Sequence, residues 1–209
     1  MSIDLLAALR RVPAIGILRG CPPQHAEEAA TAAIEGGFTV LEVTLDSPEP
    51  HVSIGRIAKL SGDVLVGAGT VRTVEDVGAA IASGAVFLVS PFVDETVVAE
   101  ARRLGVPIVP GAATPTEVWQ ALHAGATAVK VFPAVQLGGP DYVRAIRGPL
   151  GNPHLVPTGG VSVDNAKAFL EAGAYAIGVG GSVFSIDALM AGDAGRVGSA
   201  ATALIEEIT

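Results

Sequence analysis

The sequence predicts a single (β/α)8 TIM barrel, an α/β domain running from residue 1 to residue 209 with an additional helix at its N-terminus. Three observations predict it. A unit made of a helix end, a glycine and an apolar strand recurs at Gly37, Gly62, Gly84, Gly105, Gly125, Gly151 and Gly173, at intervals of 25, 22, 21, 20, 26 and 22 residues. Each glycine is placed to cap a helix in the left-handed region before the chain turns into a strand. The strands read as continuous apolar runs, the pattern of parallel strands buried on both faces. With one leading strand the chain holds eight such units in about 200 residues, the repeat of a closed barrel.

Taken in order, the leucines of "MSIDLLAALRRVP" supply the additional helix and "PAIGILRG" is the first strand. Strands two to six lie in "EGGFTVLEV", "SGDVLVGA", "SGAVFLVS", "LGVPIVPG" and "AGATAVKVF"; the seventh ends at "PTGG" and the eighth is "AGAYAIGVG". The intervening helices are "PQHAEEAATAAIE", "EPHVSIGRIAKL", "TVEDVGAAIAS", "DETVVAEARRL", "TPTEVWQALHA", "PDYVRAIRG" and "SVDNAKAFLEA", with a last one near "GSAATALIEEI". Several open on Thr, Ser or Asp with an acid in the first turn, which is N-terminal capping chemistry. The alternative architecture is an open doubly wound sheet, but no G-x-G-x-x-G opens the first helix.

Half of the residues are apolar and the mean hydropathy is +0.52, so much of the chain is expected to be buried. Its apolar runs stop well short of the ~20 residues that cross a bilayer, and the N-terminus lacks the basic region of a secretion signal. A soluble, cytoplasmic protein without a membrane partner is expected. A net charge of −8 opposes nucleic-acid binding, which needs a basic footprint. The single cysteine, Cys21, has no disulfide partner in the chain and reads as an inert thiol. His25, His51, His123 and His154 lack metal-ligand spacing, so no metal is expected, and Trp119 sits at helical spacing with Val118 and Leu122 as a packing residue.

In this architecture chemistry belongs to the C-terminal ends of the strands. Those ends carry Arg19, Glu42, Thr70, Pro91, Lys130, Phe132, Thr158, Gly159, Gly160, Gly181 and Ser182. Glu42 in "TVLEVTL" and Lys130 in "TAVKVFP" are ionisable groups inside strands, whereas the other two lysines, Lys59 and Lys167, fall on helices. Two readings of Lys130 stand side by side. One is a buried ion pair with Glu42. The other is an amine kept neutral by desolvation and a neighbouring cation such as Arg19, able to attack a carbonyl while Glu42 transfers protons. "PTGGVSVDNAK" and "GVGGS" place two glycine pairs, the first leading into a helix start at Ser162, where exposed backbone N–H groups suit an anion such as phosphate.

"GGFTVLEVTL", "VGAGTV", "VSPF", "PGAATPTE", "KVFPA", "PTGGV" and "GVGGS" follow one another through nearly the whole chain. In content, order and spacing this series resembles the KDPG/KHG aldolases, which act on 2-keto-3-deoxy-6-phosphogluconate (KDPG). The resemblance implies a class I aldolase that yields pyruvate and glyceraldehyde 3-phosphate, with Lys130 as the Schiff-base lysine and Glu42 as the general acid/base. It implies that Thr70, Pro91 and Phe132 line the pocket and that Thr158 belongs to the end holding the substrate's anionic groups. Gly159, Gly160, Gly181 and Ser182 match the phosphate end. It also implies no cofactor, activity on 4-hydroxy-2-oxoglutarate and a homotrimer. One departure stands out. Enterobacterial-type members carry an arginine two residues after the threonine of "EVTL" to clamp the substrate carboxylate, and here that position is Asp46. Arg19 is the natural substitute, with pairing to a surface acid as its alternative role. The galactonate epimer of the substrate, a phosphosugar isomerase or thiamin-phosphate-synthase-like barrel, and a non-catalytic phosphosugar-binding barrel are the competing functions.

Overall fold

The computed structural model describes residues 4–60 and 64–209, which leaves the glycine mark at Gly62 outside the described residues. The chain begins with α1 (Leu5–Arg11), β1 (Ala14–Leu18), α2 (Pro23–Glu35), β2 (Val40–Thr44), α3 (Pro50–Ile57) and β3 (Leu65–Gly69). It continues with α4 (Val74–Ala82), β4 (Phe87–Val89), α5 (Glu95–Arg103), β5 (Ile108–Val109), β6 (Gly111–Ala112) and α6 (Pro115–Ala124). The last third holds β7 (Val129–Val131), α7 (Gly139–Arg147), β8 (Leu155–Pro157), α8 (Val163–Glu171), β9 (Ile177–Val179), α9 (Ile186–Ala191) and α10 (Ala194–Ile208). The six described marker glycines, Gly37, Gly84, Gly105, Gly125, Gly151 and Gly173, all have positive φ, between 72° and 105°. Each thus does at a helix end what a residue with a Cβ does only under strain.

All strand pairs are parallel. Six strands run in the order β5-β4-β3-β2-β1-β9 and three in the order β6-β7-β8, with a single parallel bridge between Thr158, just after β8, and Gly178 in the middle of β9. The expected eight continuous strands become nine segments among the described residues. Pro110 divides the fifth into β5 and β6, because proline has no N–H to give to a ladder. What the hydrogen bonds lay out is a curled parallel sheet in two pieces. Chain-sequential order from β5 to β1 has no reversal point, which removes the doubly wound alternative. No helix among the described residues is long and apolar enough to cross a membrane.

The side chains alternate between two cores, as a period of two requires. Leu41 and Val43 of β2 join Leu18, Leu88 and Leu155 in the layer between strands and helices. Val40 faces the other way, into a second cluster with Ile15, Phe87, Val89, Val109, Ala128 and Val156. Leu5 and Leu9 of α1, 1% and 0% exposed, close that inner cluster at the N-terminal ends of the strands. Tyr175 holds α1 there by donating its hydroxyl hydrogen to the Leu6 carbonyl at 2.7 Å. Each of these leucines contributes roughly 1.5–3 kcal/mol of burial. Gly67 leaves the space that the Phe87 ring fills, since a Cβ on it would lie 2.5 Å from the ring. Trp119, expected as a packing residue, is 52% exposed and stacks on His123 with ring centroids 4.0 Å apart. Of the two residues at helical spacing with it, Val118 is buried and Leu122 packs partly buried against the core.

Candidate active site

Parity places the ionisable pair on the inner face. Val40 and Glu42 alternate with Leu41 and Val43, and Ala128 and Lys130 alternate with Val129 and Val131, so both polar residues sit one layer above the inner apolar cluster. Register fixes them further: Glu42 pairs with Ile17 and Gly67, and Lys130 with Gly111 and Val156. Glu42 is 1% exposed and Lys130 4%. They line one small cavity together with Ile15, Ile17, Val89, Val109 and Val156. Among the described residues the ion pairs are Arg19–Asp46, Arg103–Glu100 and Arg144–Asp141, so the expected alternative of a Lys130–Glu42 salt bridge is not formed. Both carboxyl oxygens of Glu42 are buried without a hydrogen-bond partner. They lie against Gly69, where a Cβ would come within 2.5 Å of Oε1.

Burial pushes the Lys130 amine below its ordinary value; the Glu42 carboxylate opposes that shift, Arg19 adds to it and Asp46 opposes it. Burial likewise pushes the Glu42 carboxyl up, against the pull of Lys130 and Arg19 and with a small push from Asp46. Both shifts run towards the uncharged forms, because burial penalises the ammonium and the carboxylate alike. A neutral amine is a nucleophile towards carbonyls and a carboxylic acid donates protons, so the pair carries the two functions that carbonyl addition needs.

Above Lys130 opens a cavity of ≈ 330 Å³. Of the residues singled out by sequence it gathers Arg19, Lys130, Phe132, Thr158, Gly159, Gly160, Gly181 and Ser182. Lys130 Nζ is 5.0 Å from the Phe132 ring centroid. Gly159 and Gly160 have φ of 95° and 79°, a left-handed turn that leads into α8. The helix is closed by a capping box between Ser162 and Asn165, with Asn165 Nδ2 also donating to the Gly160 carbonyl at 3.0 Å. Ser182 donates its hydroxyl hydrogen to the Val161 carbonyl at 2.8 Å, tying the two glycine loops together. The backbone N–H groups of Gly159, Gly160, Gly181 and Ser182 donate to no backbone carbonyl among the described residues, so the loops that line the cavity hold free donors of the kind that suits an anion at a helix start.

The structure brings Thr70 to this site only through Arg19, whose Nη2 donates to Thr70 Oγ1 at 3.2 Å. Thr70 holds φ at 59°, in a region a β-branched residue enters only under strain. Pro91 stays outside the cavity lining, with its carbonyl pressed against Gly111. Sequence reasoning missed Asp46 as the partner of Arg19. It also gave no separate weight to Gly178, whose missing side chain makes room for Thr158; glycine at alternate positions of a strand, Gly178 and Gly180, is the signal that marks such a bare face.

Residues 5–200 match the family described as KDPG and KHG aldolase. A relative from Rhizobium meliloti (strain 1021), named as a probable 2-dehydro-3-deoxy-6-phosphogalactonate aldolase, is 40% identical over 87% of this chain and 85% of its own. The 2-dehydro-3-deoxy-phosphogluconate aldolase of Treponema pallidum (strain Nichols) is 38% identical over 93% of each chain. A solved structure described as "Native KDPGal structure" superposes with a TM-score of 0.89 at 32% identity, covering 99% of this chain and 97% of that one. A KDPG aldolase from Legionella pneumophila, with pyruvate captured as a covalent carbinolamine, superposes with a TM-score of 0.88 at 26% identity, covering 98% and 100%.

Proposed function

Because the chain belongs to the KDPG and KHG aldolase family, whose members are carbon–carbon lyases, we propose that it cleaves KDPG to pyruvate and glyceraldehyde 3-phosphate through an imine on Lys130. The observation that carries this reading is the buried Lys130 amine in the lining of a cavity that the glycine loops of Gly159, Gly160 and Gly181 also line. The neutral amine attacks the C2 ketone to give a carbinolamine, and loss of water leaves a protonated imine. Removal of the C4 hydroxyl proton breaks the C3–C4 bond, whose electron pair is taken up by the imine as an enamine while the aldehyde departs. Protonation at C3 and hydrolysis then release pyruvate and restore the amine. Glu42 moves the protons, through a water for which the small cavity of about 10 Å³ beside Lys130 has room. Arg19 and Thr158 receive the substrate's carboxylate end. Gly159, Gly160, Gly181 and Ser182 take the phosphate, while Thr70, Pro91 and Phe132 shape the walls. The captured carbinolamine of the Legionella relative supports the covalent route.

The galactonate epimer is the second substrate reading, favoured by the Rhizobium relative and by the absence of an arginine at Asp46, and 4-hydroxy-2-oxoglutarate a third. We also take the two sheet pieces to close as one eight-stranded barrel in a single domain. The Thr158–Gly178 bridge joins them on one side, and Pro110, whose carbonyl accepts from Lys130 N at 2.9 Å, continues β5 into β6 on the other. A homotrimer and a cytoplasmic location rest on the family resemblance. Cleavage rates on the three substrates test the function. One phosphorylated epimer is expected to dominate, and Lys130→Met to lower kcat by about three orders of magnitude or more. Full cleavage by Lys130→Met sinks the proposal.

A further inference from the structure

Arg19 is the one cation that reaches the cavity beside Lys130 among the described residues, and it does not stand free. Its Nη1 forms an ion pair with Asp46 Oδ2 and its Nη2 donates to Thr70 Oγ1. The segment beneath is stitched in the same sense: Gly20 N donates to Ser47 Oγ at 2.8 Å, and Ser47 Oγ is 3.0 Å from the Thr44 hydroxyl. Thr44 and Ser47 are 0% and 7% exposed, so the loops after β1 and β2 are locked together below Arg19 and Asp46. The pair itself is exposed, 54% and 41%, and an ion pair this open adds little to stability. Its position at the mouth of the cavity gives it another use.

We propose that Asp46 is a positioning residue: its carboxylate holds the Arg19 guanidinium against Thr70 at the mouth of the cavity and balances the arginine's charge there. This rests on the aldolase reading of the site. The two anchors fix the plane of the guanidinium, so the substrate carboxylate meets its remaining N–H groups in a set orientation. The balance matters below. The charged groups around Lys130 and Glu42 are each other, Arg19 from the end of β1 and Asp46 from the end of β2. The remaining side chains of the small cavity come from β1, β4, β5 and β8 and are apolar apart from Thr158. Arg19 and Asp46 push the amine in opposite directions, Arg19 down and Asp46 up.

Reductive trapping of pyruvate with cyanoborohydride, measured against pH and pyruvate concentration, reads both parts. Asp46→Asn keeps an acceptor for Arg19 without the charge, and Asp46→Ala removes both. The Ala variant is expected to need about three- to tenfold more pyruvate for half-maximal trapping than the Asn variant, the effect of losing one hydrogen bond. The pH of half-maximal trapping at saturating pyruvate is expected to fall in Asp46→Asn, to rise in Arg19→Gln, and to return towards the unsubstituted value in the double variant. The melting temperatures stay together, because the pair is exposed. Equal pyruvate demand in Ala and Asn, or pH midpoints that do not move in opposite directions, overturns the proposal. An unsubstituted chain that traps no pyruvate overturns the aldolase reading and this inference with it.

Discussion

Lys130 keeps its amine among Ile15, Ile17, Val89, Val109 and Val156, and that setting works against the stability of the fold at neutral pH. In the unfolded chain the amine holds its proton up to the ordinary lysine value of 10.5, whereas burial lowers that value in the folded chain. A depressed value favours folding fully only above 10.5 and loses that contribution as pH falls through the folded value. Lys130→Met, apolar and of similar length, is therefore expected to raise the melting temperature at pH 7 to 8, with a gain on the order of 1–3 kcal/mol. The gain shrinks as the pH approaches 10.5, and a thermal melting series across that range checks the sign. Glu42 obeys the mirror rule. Its raised value makes the ionised carboxyl unfavourable as pH rises above the ordinary 4.5, so burial of each member of the pair costs stability where its charged form prevails in the unfolded chain.

At the scale of elements, the site depends on backbone that comes close to side chains. Gly69 ends β3 against the Glu42 carboxyl, and Gly69→Ala would drive a methyl to within 2.5 Å of Oε1. That variant is expected to keep its far-ultraviolet circular dichroism and lose about tenfold or more in kcat, because the group it displaces is the one to which the proposed mechanism gives the proton transfers. Much of this layer was legible in advance. The marker glycines located the helix ends because only glycine enters the left-handed region without strain, and the predicted "PQHAEEAATAAIE" coincides with α2. Thr73, Thr114 and Ser162 took the caps that their spacing to Asp76, Glu117 and Asn165 supports. What was not legible came from tertiary contacts. α10 begins at Ala194, before the predicted start near Gly198, because Gly198 packs on Ala32 and Gly36 on Ala201 so that α10 can press on α2. α9 is six residues long, too short for a periodic signal, and lies in a stretch with no marker glycine ahead of it. The Arg19–Asp46 pair joins residues 27 apart on neighbouring strand ends, which no local pattern encodes.

Across the whole molecule the two ends of the strands have separate tasks. α1 closes the N-terminal end with Leu5 and Leu9, and the opposite end carries the cavity. Leu9→Ala is expected to cost about 2–5 kcal/mol, lowering the melting temperature by roughly 2–4 °C per kcal/mol, while KM for the cleaved substrate stays put. A shift in KM without loss of stability would mean that the helix reaches the site. Lysine usage across the chain offers a sharper test. The chain holds three lysines, of which Lys59 and Lys167 are exposed and away from the cavity, while Lys130 is buried beneath it. Incubation with pyruvate and borohydride, followed by peptide mass spectrometry, should place a single reduced pyruvate adduct on Lys130. No adduct, or one on Lys59 or Lys167 with Lys130 unmodified, contradicts the covalent mechanism.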